Sequence, residues 1–137
     1  MSKGFTLIEL LVVILILAIL ASLIVPKVVN RGDDAKRAKA ATDLSVLSSS
    51  IEQFKLDTGR YPTTEEGLEA LRSAPSDVEN WRGPYLTKAI PTDPWGYEYI
   101  FEYPGANGDN SFIVGSLGSD GQEGGEGDAP DMLEGAE

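Results

Sequence analysis

From Phe5 to Val25 the chain runs for 21 residues in which only Thr6, Glu9 and Ser22 are polar. About 20 apolar residues in helical form span the hydrocarbon of a bilayer. Lys3 precedes the run, and Lys27, Arg31, Lys36 and Arg37 follow it. A helical pattern then continues through "PKVVNRGDDAKRAKAATDLSVLSSSIEQFKLDTGRYP". There Ala41, Leu44, Leu47, Ile51 and Phe54 recur on one face. Lys36, Arg37, Lys39, Asp43, Glu52 and Lys55 can take the others. Thr58-Gly59 and Pro62 supply stop signals. A helix from Phe5 to Asp57 would be about 80 Å long at the usual rise per residue. No compact domain of a 137-residue chain encloses such a rod. Its first half is expected to protrude, and the face from Ala41 to Phe54 to pack on a small sheet. Pro26 removes a backbone donor, so a kink is expected there, with Gly32 a second weak point. A break at membrane exit and a place where helix bends or melts during packing both fit these residues.

Cysteine and histidine are absent. No disulfide, thiolate nucleophile or imidazole proton shuttle is available, and a Ser-His-Asp or Cys-His enzyme is excluded. A zinc site is disfavoured for the same reason. The net charge of −11 is unevenly spread. Between Lys27 and Arg60 seven basic residues face five acidic ones; from Tyr61 onward three basic residues face sixteen acidic ones. Such a half is a poor nucleic-acid binder and a candidate partner for cations, though solubility alone also accounts for most of these carboxylates.

"GRYPTTEEGLEAL" (Gly59 to Leu71) reads as a turn and a short helix, capped by Thr63 or Thr64 and turning Leu68 and Leu71 inward. "YEYIFEY" (Tyr97 to Tyr103) and "SFIVGSL" (Ser111 to Leu117) read as strands. "GANGDN" between them makes a hairpin. Trp81 and Trp95 are expected in core and loop packing rather than in a ligand site.

"LGSDGQEGGEGDAPD" (Leu117 to Asp131) is the segment with site chemistry. Asp120, Glu123, Glu126, Asp128 and Asp131 place five carboxylates within twelve residues. Calcium takes six to eight oxygens from carboxylates and carbonyls, and glycines let a chain turn tightly around it. Counted from Asp120, glycine falls sixth and acids ninth and twelfth, but Gln122 is third and Gly124 fifth, so this is no EF-hand. A solvated acidic tail fits the same residues.

Three readings fit the N-terminus. "ILASL" offers a signal-peptide cleavage site, but the run stays apolar to Val25. A permanent single-span anchor fits the length. Neither needs Glu9, and an acidic side chain is costly at membrane depth, roughly 2.5–3.5 kcal/mol for Asp near the centre and less near the interface. The third reading needs it: "KGFTLIEL" resembles the N-terminal motif of type IV pilins and pseudopilins. The resemblance implies a leader, Met1 to Gly4, cut between Gly4 and Phe5 by a prepilin peptidase. It implies N-methylation of Phe5, and a pairing of Glu9 with the new amine of a neighbouring subunit. "YPTTEEGLEAL", "WRGPYL", "PTDPWGYEY" and "GSDGQEGGEGD" extend the resemblance to the major pseudopilin of the type II secretion system, from Lys3 to about Asp131.

That family implies an α+β, type IV pilin-like fold: a long N-terminal helix whose C-terminal half packs on a small antiparallel sheet. It implies four segments: a leader (1–4), a hydrophobic transmembrane and filament-core helix (5–26), its amphipathic continuation (27–58) and a periplasmic globular region (59–137). It implies calcium bound by the Leu117 carbonyl and the side chains of Asp120, Asp128 and Asp131. This chain departs from the family's apolar and aromatic ending after Asp131. The implied function is that of a non-catalytic subunit anchored once in the inner membrane. It would polymerise with itself and with minor pseudopilins on an inner-membrane platform, to drive folded proteins across the outer membrane. A type IV pilus or competence pilin would share Gly4, Phe5 and Glu9. A membrane-tethered calcium-dependent enzyme would keep the acidic loop.

Overall fold

The computed structural model describes residues 4–125 and 131–135, without the side chains of 24–31. It comprises an α-helix α1 (Leu7–Thr58), a 3-10 helix (Gly67–Leu71) and strands β1 (Ile100–Glu102), β2 (Ile113–Ser116) and β3 (Met132–Glu134). Two compact units divide within α1, residues 1–35 and 36–137. In the first unit the described side chains from Phe5 to Leu23 are all exposed. Among the described residues no helix is long and apolar enough to cross a membrane. Helical structure continues through Pro26 and Gly32, so neither ends α1. The side-chain surroundings of Pro26, where a kink is expected, lie outside the described residues.

The second unit is built on the last turns of α1. Ala40, Leu44, Leu47, Ile51 and Phe54 are buried at steps of four and three. Ala41, expected to open this face, is exposed. One residue turns the helix by about 100°, which carries Ala41 off the stripe that Ala40 begins. Tyr61, Leu68, Leu71, Tyr99, Phe112 and Val114 close the core against that stripe. The helix stops where Gly59 adopts φ +82°. Its N–H reaches the Lys55 carbonyl at 2.8 Å. This is the left-handed cap glycine provides. Thr58 Oγ1 donates back to the Phe54 carbonyl at 2.8 Å.

Three tyrosine hydroxyls tie the globular chain to carboxylates on α1: Tyr99 to Asp43, Tyr61 to Glu52 and Tyr85 to Asp57, each at 2.9 Å. Burial first, and then these carboxylates, hold all three phenols above their ordinary value near 10. The unfolded chain ionises its tyrosines near pH 10 while the folded one resists. Stability from this source is therefore intact below about pH 10 and lost as pH rises beyond it. Urea midpoints of the full chain are expected to fall steeply between about pH 9.5 and about pH 11, and less steeply in Tyr99→Phe. Equal slopes would show that the folded chain does not hold back ionisation of Tyr99.

The sheet is antiparallel in the order β1-β2-β3. The hairpin β1–β2 was expected, and its strands are shorter than the apolar runs suggest. β3 was not expected; Leu133 lies opposite Gly115, whose missing side chain leaves room for it. The segment after Pro62 forms a 3-10 rather than an α-helix. Thr63 and Glu66 make a reciprocal capping pair, Glu66 N–H to Thr63 Oγ1 and Thr63 N–H to Glu66 Oε2. Gly67 then takes φ +59°, which breaks the turn before an α-helix can propagate. Trp81 packs against the core and donates from Nε1 to the Ala70 carbonyl.

Candidate functional site

Two regions carry the residues singled out by the sequence. At the N-terminus, Gly4, Phe5 and Thr6 precede α1, and Phe5 is 88% exposed. Among the described residues, nothing beyond its chain neighbours lies within 4 Å of where a Cβ on Gly4 would stand. The described side of the Gly4–Phe5 bond is therefore uncrowded. Thr6 and Glu9 form a second reciprocal pair. Glu9 Oε2 accepts the Thr6 backbone N–H and its hydroxyl, both at 2.9 Å, and Thr6 Oγ1 accepts the Glu9 N–H at 3.3 Å. This is the capping box, which satisfies two of the free donors at a helix start. Glu9 therefore has an intrachain partner before any neighbour arrives. The spacing Thr-x-x-Glu ahead of an apolar run is its signature, and it stands in "TLIEL".

The acidic loop leaves β2 at Leu117. Asp120 Oδ1 accepts the Gln122 N–H at 3.1 Å, a tight local turn. Asp131 Oδ2 accepts the Gly124 N–H at 2.8 Å, which ties the two described ends of the loop together. Among the described residues Asp131 Oδ1 is enclosed and has no hydrogen-bond partner. Leu117, Glu123 and Asp131 line a cavity of about 160 Å³ that is floored by Ile100, Ile113 and Leu133 and edged by Glu102. Of the expected ligands, the structure brings Leu117 and Asp131 together. Asp120 lies outside that lining, and Asp128 lies outside the described residues. Glu123, one of the five loop carboxylates, lines it as well, and Glu102 of β1 is the carboxylate that sequence reasoning did not place there. Among the described residues no three acidic side chains converge closely enough to hold a metal ion by themselves. A larger cavity of about 480 Å³ beside the 3-10 helix shares no residue with the loop.

Residues 27–134 match the family model "Type II secretion system (T2SS), protein G", and residues 1–25 match "Prokaryotic N-terminal methylation motif". The type II secretion system core protein G of Vibrio cholerae is 45% identical over 133 residues, 96% of this chain and 90% of that protein. Its counterpart from Pseudomonas aeruginosa is 43% identical over 134 residues, 96% and 93%. The crystal structure of the major pseudopilin from the type 2 secretion system of enterohaemorrhagic Escherichia coli superposes with a TM-score of 0.65. Its identity is 37%, over 76% of this chain and 86% of that one. A long N-terminal helix with a small antiparallel sheet on its C-terminal part is the type IV pilin-like fold, and the class is that of the pseudopilins. Within it, the chain belongs to the protein G family of the type II secretion system. It is a structural subunit of the pseudopilus and not an enzyme.

Proposed function

We propose that this chain is cut between Gly4 and Phe5 by a prepilin peptidase, N-methylated at Phe5, and held once in the inner membrane through residues 5–26 until it enters a periplasmic homopolymer. The described side chains cover the apolar helix only as far as Leu23; residues 24–26 would complete the span. Minor pseudopilins and an inner-membrane platform would join the assembly, whose growth drives folded proteins across the outer membrane. The observation that carries this reading is the Gly4–Phe5 junction, with Phe5 exposed, directly ahead of an apolar run (5–26) whose single charge is Glu9. Mass spectrometry of the native product is expected to find a chain beginning at methylated Phe5. A product still beginning at Met1, or trimmed beyond Ala21, would overturn it.

The same reading places calcium in the acidic loop. Asp131 Oδ1, enclosed and unpartnered among the described residues, lies beside Leu117 and Glu123 and fits a hard cation with oxygen ligands. The Leu117 carbonyl, Asp120 and Asp131 would hold it, together with Asp128. Bound there, the ion would neutralise the clustered carboxylates and cross-link β2 to the segment before β3. A ligand that binds only the folded chain stabilises it by about 2.7 kcal/mol at a hundredfold excess over Kd. The full chain in detergent is expected to gain thermal stability on calcium titration, and Asp131→Asn to lose most of that gain. No shift at millimolar calcium would remove the ion site.

A further inference from the structure

Asp93 lies in the segment after Pro91 and is 3% exposed. Its carboxylate gathers three donors. Oδ1 accepts the backbone N–H of Trp95 at 3.1 Å and of Tyr97 at 2.8 Å, and Oδ2 accepts the Ser116 hydroxyl at 2.6 Å. Ser116 ends β2 and is fully buried. A serine hydroxyl has one hydrogen. Asp93 takes it, so the Ser116 oxygen is left as an acceptor, and the Gly118 N–H fills that role at 3.2 Å.

That last bond has a geometric consequence. The N–H of Gly118 and the carbonyl of Leu117 belong to the same peptide, which is planar and trans, so the two point in opposite directions. Anchoring the N–H on Ser116 fixes the Leu117 carbonyl away from it. Gly118 meets this demand with φ +69°. Asp93 also supports the loop from a second side. Its own N–H donates to the Tyr97 carbonyl at 2.7 Å, so Tyr97 is held at both backbone groups. The Tyr97 ring lies against Gly121, where an added Cβ would approach ring carbon to 2.5 Å. Gly121 follows Asp120 directly.

We propose that Asp93, acting through Ser116, is a positioning residue for cation binding by the acidic loop: it sets the direction of the Leu117 carbonyl without touching the ion. The proposal rests on the calcium reading above. Groups that hold a metal ligand in place by hydrogen bonds contribute about 10–100-fold to affinity. Calcium chloride titrated calorimetrically into the chelator-treated full chain in detergent tests it. Ser116→Ala is expected to weaken calcium binding at least about tenfold, Asp93→Asn by a similar factor, and Ser116→Thr to restore most of the affinity. Ser50→Ala is the control, a buried serine that donates to the Val46 carbonyl at 2.9 Å, with the Tyr85 carbonyl sharing that hydrogen at 3.3 Å, and remote in sequence from the loop. It is expected to lower the melting temperature without changing Kd. Wild-type affinity in both Ser116→Ala and Asp93→Asn overturns the inference and leaves the ion site standing. So does an equal loss in Ser50→Ala, which would mark a general effect of destabilisation. A wild-type chain that binds no calcium overturns the ion site and this inference together. Asp93→Asn is nearly isosteric, and its Kd decides the matter if Ser116→Ala does not fold.

Discussion

Phe54→Ala is expected to destabilise the 36–137 unit by about 3–5 kcal/mol, the range for removing a buried aromatic ring. Phe54 is fully enclosed on the inner stripe of α1 and meets the Tyr85 ring edge-on at 5.9 Å. The substitution removes that contact and leaves a void between the helix and the loop that carries Tyr85. The Tyr85–Asp57 bond loses its packing support, since ring and hydroxyl belong to one side chain. Domains of this size are stable by about 5–15 kcal/mol, so the loss takes a large share of the whole. Leu56→Ala, two residues on, is the contrast: Leu56 is 82% exposed. Its truncation is expected to change stability by no more than about 0.5 kcal/mol. Urea unfolding followed by tryptophan fluorescence measures both. A Phe54→Ala cost near that of Leu56→Ala would show that the core does not lie on this face of α1.

The sequence made the helix legible because its signals are local and repeated. A continuous apolar run, a stripe at steps of three and four and a Thr-Gly stop all act within a few residues. The β1–β2 hairpin was legible for the same reason, through β-forming runs on either side of a glycine turn. β3 was not. Met132-Leu133-Glu134 has neither alternation nor β-branched residues, and it pairs because β2 offers a free backbone edge and Gly115 leaves space. Backbone pairing of that kind does not show in side-chain pattern. Ala41 was misplaced by one position because alanine marks a helical face weakly, and Ala40 and Ala41 are adjacent. At the acidic loop the chemistry was legible from composition, but the geometry was not. Asp93 is separated from Ser116 by 23 residues and looks in sequence like one more turn-forming Asp-Pro. Its burial depends on three donors that come from its own turn and from the end of β2.

Glu9→Gln is expected to leave insertion and Gly4–Phe5 cleavage intact while abolishing polymerisation. Glu9 has two separable properties, one seen in the structure and one proposed. As an oxygen acceptor it caps α1 with Thr6. As a charge it is the candidate counter-ion for the Phe5 amine of a neighbouring subunit. Glutamine serves as well as glutamate in a capping box, so the variant keeps the first property and loses only the second. Removing one partner of a buried ion pair costs about 3–5 kcal/mol, because the other charge is left uncompensated. That is more than a hundredfold, by order of magnitude, in each docking equilibrium, and it recurs at every subunit added. Thr6→Ala makes the opposite cut: it costs about 1 kcal/mol of capping and keeps the charge, so filaments are expected to persist. Cells overproducing each variant, examined for membrane-fraction content, N-terminal mass and sheared filaments, separate the two roles. Filaments from Glu9→Gln at wild-type level, with Thr6→Ala defective, would make the cap the function of Glu9 and discard the intersubunit pair.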